Sequence, residues 1–307
     1  MKMTSITIVV LTYNHVDTIS KCLDSVLAQK FDEKKIEAKI ILLDDCSTDG
    51  TSEICMNYAR NYSKIDYQPE YKNTSGKLFY QAIESIESDY FCFIDGDDWY
   101  LNNSLIQNGI DFLEMHKEYS VYGQDTLFVT SSGEYSYTKV ILDKTDVVNP
   151  ICLDNYVFIH PVSRILRRVC NYKTEFKNTI LSDLPLYVFN LSKGKAFLDT
   201  SLIGGAYNYN QLGYYSKKTP NQQLFYQFQV WKYINFKLKS EFYTEIIGIL
   251  KDNFIVSEKR YGKMMALKYF PRIAFYYANF RFKKIIIRDL LKAYRREISD
   301  SEKRFSV

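Results

Sequence analysis

Tyr90-Phe91-Cys92-Phe93-Ile94-Asp95-Gly96-Asp97-Asp98 is a run of apolar residues that ends abruptly in three carboxylates. A short apolar stretch bounded by turn residues reads as a strand buried on both faces. Asp95, Asp97 and Asp98 so close together would repel one another unless a cation or solvent absorbed the charge. A hard divalent ion, Mg2+ or Mn2+, suits such oxygen ligands and keeps positions open for phosphate oxygens. An acidic surface turn or helix cap is the alternative reading of the same residues.

Two similar runs precede it. Ser5 to Leu11 and Ala38 to Leu43 are mostly β-branched or apolar and bounded by polar residues. Between the three, Ile19, Cys22, Leu23, Val26 and Leu27 recur at helical spacing. So do Ile54, Cys55, Tyr58, Ala59 and Tyr62, and then Leu78, Phe79, Ala82, Ile83 and Ile86. The order strand, helix, strand, helix, helix, strand implies an α/β fold with a mainly parallel sheet flanked by helices. Ligands of such sheets lie beyond the carboxyl ends of the strands. Thr12-Tyr13-Asn14, Asp44-Asp45-Cys46-Ser47-Thr48-Asp49-Gly50-Thr51 and Asp95-Gly96-Asp97-Asp98 each follow a strand, so all three should meet at one edge.

The ordered set Val10-Leu11-Thr12-Tyr13-Asn14, Leu43 to Thr51 and Phe93 to Asp98 closely resembles the family 2 glycosyltransferases, inverting enzymes of the Rossmann-like GT-A fold. The resemblance is strong over about residues 4 to 100 and weaker to 216. It implies transfer of a hexosyl or N-acetylhexosaminyl group from a nucleotide diphosphate donor, a UDP-sugar. The acceptor would be a hydroxyl of a glycan or lipid-linked molecule in bacterial surface polysaccharide synthesis. Carried over, it implies that Thr12, Tyr13 and Asn14 line the nucleotide pocket and that Asp45 binds the base, with Asp44 beside it. Gly76-Lys77 matches the family's glycine-containing stretch. Asp95, next to Gly96, would face the ribose or sugar, while Asp97 and Asp98 hold Mn2+ or Mg2+ on the diphosphate. The chain departs from the pattern at Cys46, where a glycine is usual, and at Phe79-Tyr80, where an Arg-Asn pair is common.

The same chemistry needs a general base for the acceptor hydroxyl. Asp183, before the helical run Leu184-Pro185-Leu186-Tyr187, is the candidate, with Asp199 and Glu175 as rivals; a plain N-cap is the structural alternative. His160 falls where many members carry a polar residue near the acceptor. In Tyr207-Asn208-Tyr209-Asn210, Asn208 and Asn210 replace a family Arg and His near the pyrophosphate, a grip that Lys217 and Lys218 could supply instead.

The chain has 307 residues, 46% apolar and 25% charged, with 27 Tyr and 20 Phe, the balance of a globular protein. It divides into a catalytic domain, 1–216, and a mainly helical basic-aromatic region, 217–307. Between Arg260 and Arg296, eleven Lys or Arg face one acid, Asp289. This stretch, over 263–296, reads as a contact with an anionic membrane surface, or with another copy of the chain, or as a solvated helical face. Six cysteines without a C-x-x-C pair, and no secretory signal, place the protein in the cytoplasm, peripheral on the inner face of the membrane. No nucleic-acid recognition module is visible. The absence of G-x-G-x-x-G after the first strand excludes a classical dinucleotide dehydrogenase. A sugar nucleotidyltransferase and a non-catalytic nucleotide-sugar-binding module remain as alternatives.

Overall fold

The computed structural model describes residues 3–74, 78–130, 132–140, 147, 149–152, 157–172 and 183–209. Gly76, Lys77, Glu175, Asn210, Lys217, Lys218 and the whole 217–307 region lie outside them.

The chain opens with β1 (Thr4–Thr12), α1 (Ile19–Leu27), β2 (Ile36–Asp44), α2 (Thr51–Asn61), β3 (Ile65–Pro69), α3 (Leu78–Ser85) and β4 (Tyr90–Asp95). β5 (Trp99–Tyr100), α4 (Leu105–Met115), β6 (Tyr119–Thr130), β7 (Gly133–Ser136) and a one-turn α5 (Tyr137–Val140) follow. A 3-10 turn at Pro161–Ser163, β8 (Arg164–Arg167), α6 (Asp183–Leu191) and β9 (Lys195–Asn208) complete the described part.

β1 and β4 are buried along nearly their whole length, as strands covered on both faces must be. On α1 the buried residues are Ile19, Cys22, Leu23 and Val26, one stripe at helical spacing that packs into the main core with Ile6, Ile8, Val10 and Leu42. Nine strands form one sheet among the described residues, in the order β3-β2-β1-β4-β8-β6-β9-β5, with β7 beside β6. β3, β2, β1 and β4 are mutually parallel. β8 runs antiparallel to both β4 and β6, while β9 runs parallel to β6. The α/β fold is therefore as expected, with its parallel half on the side of β1 and a mixed half beyond β4.

Local readings differ in one place. Periodicity puts two helices in succession before Tyr90, whereas β3 stands between them. Ile65-Asp66-Tyr67-Gln68-Pro69 is a five-residue edge strand with one buried residue, too short and too polar to stand out. Tyr119–Thr130 is one strand, and β7 ends at Tyr135-Ser136. Tyr137–Val140 forms the turn α5.

β1 lies between β2 and β4, so chain order reverses on either side of it. A crevice opens at the carboxyl end of such a strand. Register fixes what faces it, because Thr12 pairs with Asp44 and Leu11 with Asp95.

Candidate active site

The turns after β1 and β2 are zipped together. Asp45 N–H donates to Thr12 O (2.9 Å), Asn14 N–H to Ser47 Oγ (2.9 Å), and Thr48 N–H to Asn14 Oδ1 (2.8 Å). His15 N–H donates to Thr51 Oγ1 (2.8 Å) and Val16 N–H to Asp49 Oδ2 (3.1 Å). Asn14 and Cys46 both adopt left-handed backbone, with φ of 56° and 65°. Asn suits that conformation because its short amide bonds locally. The consequence for the pocket is a division of labour. Thr12 is buried with its hydroxyl on His15 Nδ1 (3.2 Å), the Asn14 side chain is committed to Thr48, and Tyr13 is exposed.

Asp44, next to Asp45, is wholly buried. It accepts Ser47 N–H (3.0 Å), Ser47 Oγ–H (2.6 Å), the Ser52 hydroxyl and Tyr67 OH (3.1 Å), and so organises the turn from beneath. Asp45 lies nearer the edge, its Oδ1 accepting Thr74 N–H (2.6 Å) and its carbonyl accepting Asn73 Nδ2–H (3.1 Å).

The acidic turn after β4 docks on the same edge. Gly96 N–H donates to Leu11 O (2.7 Å), and Thr18 Oγ1–H to Gly96 O (3.0 Å). His15 Nε2 stands 3.9 Å from Asp97 Oδ1, so the first turn touches the third as well as the second. Sequence reasoning passed over His15, and its position next to Thr12-Tyr13-Asn14 was the available signal. Asp98 is buried; its Oδ1 accepts Asn208 N–H (2.9 Å) and its Oδ2 has no hydrogen-bond partner among the described residues. Asn208 thus reaches the cluster through its backbone, by way of β5, which pairs Trp99 with Ala206 at the end of β9.

Charge crowding is severe. Desolvation by surrounding protein, then the charges of Asp97 and Asp183, push the Asp95 carboxyl up to about 7, even though part of its surface stays open. Asp98 is raised well above the carboxylate range by burial first, then by Asp97 and Asp95. The Tyr207 phenol is pushed up by burial and by Asp98, Asp95 and Asp97, which places that ring beside the cluster. A buried carboxylate oxygen of Asp98 without a hydrogen-bond partner among the described residues, crowded by the neighbouring carboxylates Asp95 and Asp97, fits a divalent metal. Among the described residues no three His, Cys, Asp or Glu side chains converge into a complete cage.

Asp183, at the start of α6, is brought to this edge, since its charge acts on Asp95. Its rival Asp199 instead holds its own strand, accepting Ser201 N–H (3.0 Å) and the Ser201 hydroxyl (2.5 Å). His160 packs on Tyr207 with ring centroids 4.2 Å apart. Its Nδ1 is buried without a partner among the described residues. Burial, then the charge of Arg164, lowers its pKa to about 3, so the ring is neutral.

Residues 7–173 match the family model described as Glycosyl transferase family 2. Over 262 residues the chain is 28% identical to the UDP-Glc:alpha-D-GlcNAc-diphosphoundecaprenol beta-1,3-glucosyltransferase WfaP of Escherichia coli, covering 83% of this chain and 98% of that one. S. aureus TarS 1-349, solved in complex with UDP-GlcNAc, superposes with a TM-score of 0.60 at 18% identity, over 76% of this chain and 66% of that chain. A mannosyltransferase from Pyrobaculum calidifontis, solved with GDP-Man and Mn2+, gives 0.57 at 14% identity, over 89% and 80%. These two likenesses concern the fold, which is GT-A.

Proposed function

Its match to the family model spans more than half of its length, so the chain belongs to the family 2 glycosyl transferases, and from that membership we propose an inverting transfer of a hexose from a UDP-sugar to a hydroxyl of a lipid-linked glycan. The observation that carries this reading is the presence of Asp183 within electrostatic reach of the Asp95-Gly96-Asp97-Asp98 turn. That pairing supports a reading with a base on one side of the sugar and a diphosphate site on the other.

Tyr13 offers an exposed ring to the nucleotide, and Asp45, tied to Asn73 and Thr74, receives its base or ribose. Asp97 and Asp98 would hold Mn2+ or Mg2+, with the donor's phosphate oxygens completing the ligand set. An ion held there would supply positive charge to offset the charge that develops on the departing nucleoside diphosphate. Asp95, the most exposed acid of the turn, faces the ribose or the transferred sugar. Asp183 accepts the proton of the acceptor hydroxyl as that oxygen attacks the anomeric carbon from the face opposite the leaving diphosphate, which inverts the centre. The name of the Escherichia coli relative supports UDP-glucose as donor and an N-acetylglucosaminyl-diphospho-lipid as acceptor.

Incubating the full chain with Mn2+, UDP-glucose and a synthetic GlcNAc-diphospho-lipid, then separating lipid products by mass, tests the proposal. A product heavier by one hexose is expected. The same panel carries UDP-GlcNAc, GDP-mannose and dTDP-rhamnose, and transfer only from a donor that is not a UDP-sugar would overturn the donor assignment.

A further inference from the structure

Arg164 is the largest side chain in the described protein that is almost completely buried, at 1% exposure. Removing a guanidinium from water is costly unless its hydrogen-bonding positions and its charge are accommodated. Here Nη1–H donates to Ile159 O (2.7 Å) and Nη2–H to Asp183 O (3.1 Å). The guanidinium carbon lies 5.0 Å from the Tyr187 ring and 5.3 Å from the Phe158 ring, and the two rings are 5.6 Å apart, so the cation sits against a pair of aromatic groups from the same two segments. Tyr187 adds a second tie, donating its hydroxyl to Val157 O (2.6 Å). Arg164 itself opens β8, whose pairing with β4 and β6 anchors it in the sheet. A rigid strand thus grips the backbone of the first turn of α6 at the residue proposed as base.

We propose that Arg164 is a positioning residue for sugar transfer, holding the start of α6 so that the Asp183 carboxylate stays within reach of Asp95 and the reacting hydroxyl. The proposal rests on the reading of Asp183 as the base. Only a planar fork spans the Ile159 and Asp183 carbonyls together; a lysine ammonium keeps the charge but is a point donor on a flexible stem. A small misplacement of a catalytic group can cost about a hundredfold in rate without touching ground-state binding.

The test uses the full chain carrying Arg164→Lys, Arg164→Met, Asp183→Asn and each double substitution. Turnover is measured with Mn2+ and the donor of the above panel that the wild type uses, and UDP binding with Mn2+ is measured by calorimetry. The expected result for Arg164→Lys is a kcat lower by about 10- to 100-fold, with UDP affinity within about twofold of wild type. In the Asp183→Asn background the Lys substitution should cause no further loss, because both act through one group. Should Arg164→Met fail to fold, Arg164→Lys decides. Normal turnover in Arg164→Lys, a loss that adds in full on Asp183→Asn, or a crystal structure of Arg164→Lys with the Asp183 carboxylate in its wild-type place overturns the proposal. Normal turnover in Asp183→Asn alone overturns the base assignment instead, so the two failures are distinct.

Discussion

A Cβ added at Gly96 would lie 2.7 Å from Thr12 Oγ1, 2.9 Å from Thr12 Cβ and 2.8 Å from His15 Nδ1. The glycine between the acids is therefore a packing requirement: it lets the acidic turn lie directly on the first turn. Gly96→Ala should cost about 1–3 kcal/mol of stability, read by urea denaturation, and should weaken UDP binding in the presence of Mn2+. Retention of both would contradict the packing described. Asp183→Asn keeps shape and removes the basic oxygen, so kcat should fall by about 10^2- to 10^4-fold while UDP affinity is preserved; parallel losses in both would mean that Asp183 serves the fold. The acids of the cluster were readable from sequence because three carboxylates after an apolar strand are chemically conspicuous. His15 and Arg164 were not, since a lone histidine in a turn and an arginine opening a short strand acquire meaning only from what folding sets against them.

At the scale of elements, the turn from Asp44 to Thr51 depends on two carboxylates that do different work. Asp44 gathers four donors beneath the turn. Asp44→Ala would strand several partly buried donors, and unfolding should require about 2–3 kcal/mol less, measured in urea. Asp49 is exposed. Desolvation works against its charge, yet hydrogen bonds from the Thr51 hydroxyl, Thr51 N–H and Val16 N–H outweigh it and hold its carboxyl below the usual range. A depressed carboxyl contributes stability above its unfolded pKa of about 3.9 and loses it as pH falls through the lower folded value. Wild type should therefore exceed Asp49→Asn in Tm at pH 6, and the gap should close below about pH 4; a gap that widened in acid would contradict the assignment. The strands β1, β2 and β4 were legible because each contains an uninterrupted apolar run, Ile8 to Leu11, Ile40 to Leu43 and Tyr90 to Ile94. β3 and the lower part of β6 were not, because edge exposure and bulging break the pattern that sequence reading relies on. Asp44 and Asp45 look equivalent in sequence, and only the fold separates the fully buried Asp44 from Asp45, which keeps a little open surface.

Across the described molecule, a sheet whose order reverses at β1 gathers three turns from the first hundred residues, and β9 returns from more than a hundred residues later to close the site. That return is made by Asn208 N–H on Asp98 and by β5 pairing with β9. Parallel topology and the location of the site at the carboxyl edge followed from alternating strands and helices. The mixed half did not, because antiparallel insertion of β8 between β4 and β6 is a pairing of residues remote in sequence with no local signature. No helix among the described residues is long and apolar enough to cross a membrane. We propose that residues 217–307, through 263–296, supply contact with an anionic lipid surface. Cosedimentation of the full chain with phosphatidylglycerol vesicles, lost on truncation after Gly262, is the expected outcome, and equal sedimentation with and without vesicles would refute it. The central claim is that the carboxylates of Asp97 and Asp98 form the diphosphate end of a donor site. Titrating UDP into wild type and Asp98→Asn by calorimetry, with Mn2+ and then with EDTA, tests it most directly. Binding by wild type should require Mn2+ and be lost in Asp98→Asn, whereas equal UDP affinity with and without metal in both proteins would contradict it.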